Sequence, residues 1–224
     1  MEKKLELTKQ WIRLGSYSGI ASTVLFLLLI LVDMPMYLQF LFAGLFGISY
    51  ALLGFGIDHA IRLEKETITS RLGALFVFVA GILFNVMLMM QLTFKGQLEM
   101  YQNEILELTH KELFDPWIGL MDTFQLGIQF SIDLLTACAM LFFSIDMFKH
   151  RFFGRPWAIS GAIIAVSLVV IKCISFPLTP GELGIPYVLG PMISLWFLAV
   201  CIQNLRVSKN VVRKEVEVYA SPQK

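Results

Sequence analysis

Six apolar runs, each about as long as a bilayer is thick, constrain this chain more than any other feature of its sequence. A helix needs about 20 residues to cross about 30 Å of hydrocarbon at a rise of 1.5 Å per residue. The runs lie at residues 15–32, 36–57, 72–94, 118–147, 157–176 and 187–205. The expected fold is all-α: one domain over residues 1–224, a polytopic membrane bundle of six transmembrane helices. Composition agrees, with 57% of residues apolar, 16% charged and a mean hydropathy of +0.71. Soluble domains carry about 25% charged residues, so these polar groups are too few to cover a surface facing water. Pro35, Pro116, Pro156, Pro177, Pro180 and Pro186 fall between the runs or at their edges, where a missing N–H is tolerated. Only Pro191 lies inside a run, near its start, so the sixth helix is expected to begin late.

Charge sets the expected orientation. Of 18 Lys and Arg, all but Lys95, Lys111 and Lys172 fall in the two terminal segments or in the connections after the second and fourth runs. The positive-inside bias makes that side cytoplasmic, with both termini inside a cell inner (plasma) membrane. Residues 1–14 then form a cytoplasmic N-terminal segment, 206–224 a cytoplasmic tail, and 95–117 an extracytoplasmic loop. No small-residue cleavage site follows the first run, so it is expected to remain as an uncleaved helix. Trp11 and Trp157 suit the inner aromatic belt, and Tyr37, Trp117 and Tyr187 the outer one. Tyr50 and Trp196 fall deep in their runs and are expected to pack against other helices with partnered polar tips.

Several function classes drop out. A net charge of +1 suggests no nucleic acid partner, and there is no phosphate-cradling glycine motif and no H-E-x-x-H. Cys138, Cys173 and Cys201 lie inside apolar runs with no C-x-x-C pair, so they read as small buried hydrophobes. His59, His110 and His150 lie at membrane edges or in loops, where no two could clamp a haem. Neither a cofactor nor a metal site nor a catalytic constellation is expected. Small residues recur four apart, as in Gly15/Gly19, Ser18/Ser22, Ala43/Gly47/Ala51, Ala158/Ala162 and Gly161/Ala165. They suit close helix packing, inside the bundle or between copies in a homo-oligomer.

The fourth run carries the candidate site. Asp122, Gln125, Gln129, Asp133 and Thr136 are spaced 3, 4, 4 and 3 apart, which places them on one stripe of a helix. An acid at mid-span costs about 2.5–3.5 kcal/mol on the insertion scale, so Asp133 needs a partner, a watery cavity or a proton. Asn85 and Gln91 of the third run and Lys172 of the fifth fall in the same outer half, flanked by Asp33, Gln39 and Glu182. These groups suggest an outward-facing polar pocket with Asp133 at its floor and Lys172 as counter-charge. Other readings stand beside this: Lys172 can snorkel to the interface, Asp122 suits a solvated helix start, and the glutamines can bond neighbouring helices. Asp58 and Asp146 beside the basic loops suit interfacial ion pairs. In the outer loop Leu98, Tyr101, Ile105 and Leu108 predict a short amphipathic helix that could cover the pocket. Glu104, Glu107 and His110 on that loop suit a solvated acidic face more than a metal site.

Near the carboxyl end, Phe176-Pro177-Leu178-Thr179-Pro180, then Gly190-Pro191, then Leu195-Trp196-Phe197-Leu198-Ala199-Val200 resembles a pattern of bacterial six-helix membrane proteins of unknown function. The resemblance covers about thirty residues closely. It implies a fold and a bacterial setting, and no activity. The paired prolines would stiffen the last outer loop into a fixed wall of the pocket. Two functions follow as expectations: binding or transport of a small polar or cationic solute, or a non-catalytic membrane regulator or interaction subunit.

Overall fold

The computed structural model describes residues 2–105, 111–176 and 189–220. They form six helices: α1 Glu2–Leu31, α2 Met36–Ile61, α3 Ile68–Ile105, α4 Lys111–Met147, α5 Gly154–Ser175 and α6 Leu189–Ala220. All six contain a stretch long and apolar enough to cross a membrane, and no strand occurs among the described residues. The fold class is therefore the one the apolar runs predict. Large apolar side chains such as Ile30, Ile48, Ile163 and Leu195 face outward, as they must where the surrounding solvent is lipid.

The helices extend well past the apolar runs. Residues 2–14 belong to α1, with Ile12 wholly enclosed, so the first helix begins well before its apolar run. The tail is likewise helical as far as Ala220, and Arg13 Nε donates to Ser208 Oγ across 3.3 Å to tie α6 to α1. The expected amphipathic loop helix is not a separate element. Residues 95–105 continue α3 and 111–117 open α4, while Glu107, Leu108 and His110 lie outside the described residues. Pro116 accordingly sits inside α4, two residues before its apolar stretch begins at Ile118. Pro191 is the third residue of α6, where the first turn has no intrahelical N–H bond to lose. Pro177, Pro180, Glu182, Pro186 and Tyr187 lie outside the described residues.

Neighbours in the bundle follow the chain from α1 to α5, and α6 closes onto α1 and touches α5 little. Small residues make the closest crossings. A Cβ on Gly56 would stand 2.8 Å from the Cα of Gly15, and one on Gly81 would stand 2.6 Å from the backbone N of Ala51. Only side chains this small let backbones meet, which is how helices gain van der Waals contact where lipid removes the hydrophobic drive. Trp196 fills the α5–α6 contact: its ring carbon lies 2.6 Å from where a Gly161 Cβ would stand, and its Nε1–H donates to Trp157 O at 3.4 Å. Cys138 and Cys201 are half-buried and buried, but Cys173 is exposed, facing outward from α5; an exposed thiol costs little where the neighbours are acyl chains.

A polar clamp closes the end of the bundle that carries the basic residues. Asp58 Oδ1 accepts from Ser70 Oγ at 2.6 Å, and its Oδ2 lies 3.5 Å from Arg62. Asp146 is not an ion-pair member among the described residues; its Oδ2 accepts from the hydroxyls of Thr67 and Thr69, each at 2.6 Å. Two neutral donors satisfy the carboxylate without fixing a long cationic side chain. His150, 5% exposed, has its Nε2 3.3 Å from Ile61 O, and its Nδ1 accepts the Phe152 N–H at 3.2 Å. Burial pushes the His150 imidazole below its usual range, opposed by Glu64, the carbonyls of Ile61 and Ala60, and Asp146. Folding therefore disfavours the imidazolium. The stability His150 contributes is fully present above its unfolded pKa of about 6.5 and is lost as pH falls from there towards the lower folded value. Melting temperature in detergent should drop on acidification from pH 7.5 to 5.5, and His150→Asn should flatten that slope.

Candidate functional site

The turn-by-turn spacing of α4 aims one stripe of it into the bundle, and the polar residues sort along that stripe by depth. Asp133 is 8% exposed. Its Oδ2 lies 2.7 Å from Lys172 Nζ of α5, and its Oδ1 accepts from Gln129 Nε2, one turn away, at 3.1 Å. One turn further on, Thr136 Oγ1 shares a 3.2 Å hydrogen bond with the hydroxyl of Tyr50 on α2. Three helices thus contribute to one contiguous polar cluster at membrane depth.

The cluster borders a cavity of about 500 Å³ in the half of the bundle away from the basic end, and all six helices contribute to its walls. The volume falls within the range of small-molecule sites, about 300–1,000 Å³. Much of the wall is aromatic. Tyr50, Phe84 and Phe46 stand edge to face with centroids 5.3 Å apart for Phe46–Phe84 and Tyr50–Phe84, and Phe197 meets Tyr50 at 5.8 Å. A carboxylate, an ammonium, three amides and five hydroxyls therefore line a chamber whose remaining wall is apolar.

The structure brings four of the seven residues singled out from the sequence to this chamber. Asp133, Gln129, Lys172 and Gln91 line it. Gln125 is one step back, its Oε1 accepting from Gln91 Nε2 at 3.1 Å and so joining α4 to α3. Two do not belong. Asp122 is exposed and no part of the cavity wall, and as the twelfth residue of α4 it does not stand at a helix start. Asn85 donates to Gly44 O on α2 at 3.2 Å, and its Cβ would meet a Cβ on Gly47 at 2.6 Å. It packs the α2–α3 crossing. Gln39 lines the cavity while donating to Met34 O at 2.7 Å, whereas Asp33 is exposed away from it.

The aromatic wall was not anticipated from the sequence. Nineteen phenylalanines, most of them spread through the six apolar runs, carry no signal of which ones meet. Tyr50 alone gave a hint, as a phenol too deep in its run for the interfacial belt. Ser22 and Thr23 also line the cavity, both donating to Gly19 O, at 2.9 and 3.1 Å, so each presents only lone pairs to it. Among the described residues no three His, Cys, Asp or Glu gather around a point that could hold a metal ion.

Comparison with family models, with curated proteins and with solved structures finds no match to this chain.

Proposed function

We propose that this chain is an integral membrane protein that binds or transports a small polar or cationic solute in the Asp133 cavity. In this reading the basic end and both termini face the cytoplasm of a bacterial cell, and the cavity belongs to the extracytoplasmic half. One observation carries the reading: the Asp133–Lys172 pair, at 2.7 Å, stands on the wall of an open chamber. Two charges taken out of water are expensive, and a packed apolar pair of similar volume is commonly as stable. An ion pair beside free volume is useful for exchange, since an incoming cation can replace the Lys172 ammonium at the same carboxylate. The faces of Phe46, Tyr50 and Phe84 add cation–π attraction for an ammonium that carries apolar substituents.

The test uses purified protein in lipid nanodiscs, titrated with benzyltrimethylammonium and with its neutral isostere, neopentylbenzene. The cation should bind and the isostere should bind far more weakly. Asp133→Asn should weaken the cation by about thirtyfold or more, the lower range for truncating one partner of a buried charge pair. Proteoliposome uptake of the radiolabelled cation then separates transport from binding. Equal binding of cation and isostere, or an unaffected Asp133→Asn variant that melts like the wild type, overturns the reading. The regulator would then be favoured, and a stoichiometric membrane partner should co-purify.

A further inference from the structure

A second cavity, about 670 Å³, lies at the basic end between the facing ends of α4 and α5 and beneath the loop joining α2 to α3. Its inner wall is apolar. Leu141 and Ile145 of α4 face Ile159 and Ala162 of α5 across it, and Ile145 and Ile159 are 62% and 48% exposed. A groove whose apolar lining is open on the flank of a membrane bundle opens towards acyl chains.

Its rim is ionic but unevenly satisfied. Glu64 Oε2 accepts the backbone N–H of Arg151 at 2.8 Å and lies 3.6 Å from His150 Nε2. Asp146 is occupied by the two threonine hydroxyls. Both acids are engaged, whereas Lys65 and Lys149 border the same cavity with no partner among the described residues. Inside, Ser144 Oγ is buried and without a hydrogen bond. Two ammonium groups without a partner among the described residues thus border an apolar slot at the basic end of the bundle.

We infer that this groove is a binding site for an anionic phospholipid, its phosphate between Lys65 and Lys149 and an acyl chain along Ile145 and Ile159. Charge complementarity favours an anionic headgroup. Glu64 and Asp146 already accept hydrogen bonds from neutral donors, so a phosphate answers the two ammonium groups that have no partner among the described residues, while a choline headgroup would set its own cation beside them. The apolar slot selects a lipid over a free anion, which would leave Ile145 and Ile159 uncovered. Basic pockets between helices at a membrane face are suited to this recognition, with each nearby Lys worth about fivefold in binding.

The test is native mass spectrometry of the delipidated full chain with phosphatidylglycerol, with phosphatidylcholine, and with inorganic phosphate. Phosphatidylglycerol should be retained in preference to phosphatidylcholine. Lys65→Gln/Lys149→Gln should weaken it by about 25-fold, the product of two such contributions. Both lysines are exposed, so this variant should melt as the wild type does. Ile159→Trp, which fills the slot and keeps both charges, should also weaken retention. Asp133→Asn should leave it intact, which separates this site from the solute cavity. Equal retention of both lipids, full retention by the double lysine variant, or displacement of the lipid by millimolar phosphate overturns the inference.

Discussion

Lys172→Met is expected to cost the fold about 3–5 kcal/mol, because it strands the Asp133 carboxylate in a chamber without its partner. The side chains of Lys172 and Asp133 are only 18% and 11% exposed, so water can do little to compensate. Asp133→Leu/Lys172→Met removes both charges and should recover most of the loss, since apolar replacement of a whole buried pair is often neutral or stabilising. The unfolding free energy in detergent of the wild type, both single variants and the double variant gives the coupling directly. A Lys172→Met variant as stable as the wild type would mean that the ammonium reaches the interface and ignores Asp133. The same experiment bears on function. Benzyltrimethylammonium should raise the melting temperature of Lys172→Met more than that of the wild type, because the added cation supplies the missing charge, whereas Asp133→Leu/Lys172→Met should not respond.

Gly15→Leu is expected to detach α1 from the bundle. A Cβ at Gly15 would stand 2.5 Å from the backbone N of Gly56, and no flexible side chain is there to move aside. Overpacking ordinarily costs about 1–3 kcal/mol; a leucine against backbone should exceed that, with Gly15→Ala at the lower end. Cys201 offers a direct readout, since it is wholly buried and its Sγ is the nearest neighbour of a Cβ on Gly19. In a Cys138→Ala/Cys173→Ala background, maleimide labelling of Cys201 should be slow in the parent and fast in Gly15→Leu. Unchanged labelling and melting would show that the α1–α2 crossing tolerates a wider spacing.

Local features of the sequence proved legible, and relations between helices much less so. Hydropathy is a property of one segment, so all six spans could be read from it. The α4 stripe was legible for the same reason: the turn of a single helix fixes which of its residues share a face, and Gln129, Asp133 and Thr136 do meet the cavity or its polar cluster. Depth along a span could be counted, but not the direction a side chain points about the helix axis. Asn85 lies at a suitable depth, yet it is turned towards Gly44 and Gly47 of α2. Helix ends lie beyond the apolar runs because lipid length marks where hydrocarbon stops and says nothing of where hydrogen bonding stops. Polar residues such as Gln97, Glu99 and Gln102 are good helix formers in water and carry α3 on to Ile105. The hydroxyl ligands of Asp146 come from a different helix and loop, and no local pattern marks such a meeting.

The uneven closure of the bundle has a mechanical consequence. Each of α1 to α4 is braced by its neighbours along the chain and α6 rests on α1, while α5 leans on α4 and meets α6 mainly through Trp196. Lys172 of α5 and Ser194 of α6 border the chamber on either side of that thin join. Prising them apart would break few contacts, with the indole as pivot and the rest of the wall standing still. Of all the seams in this barrel, the one between α5 and α6 opens at least cost, and α5 carries the ammonium along its edge.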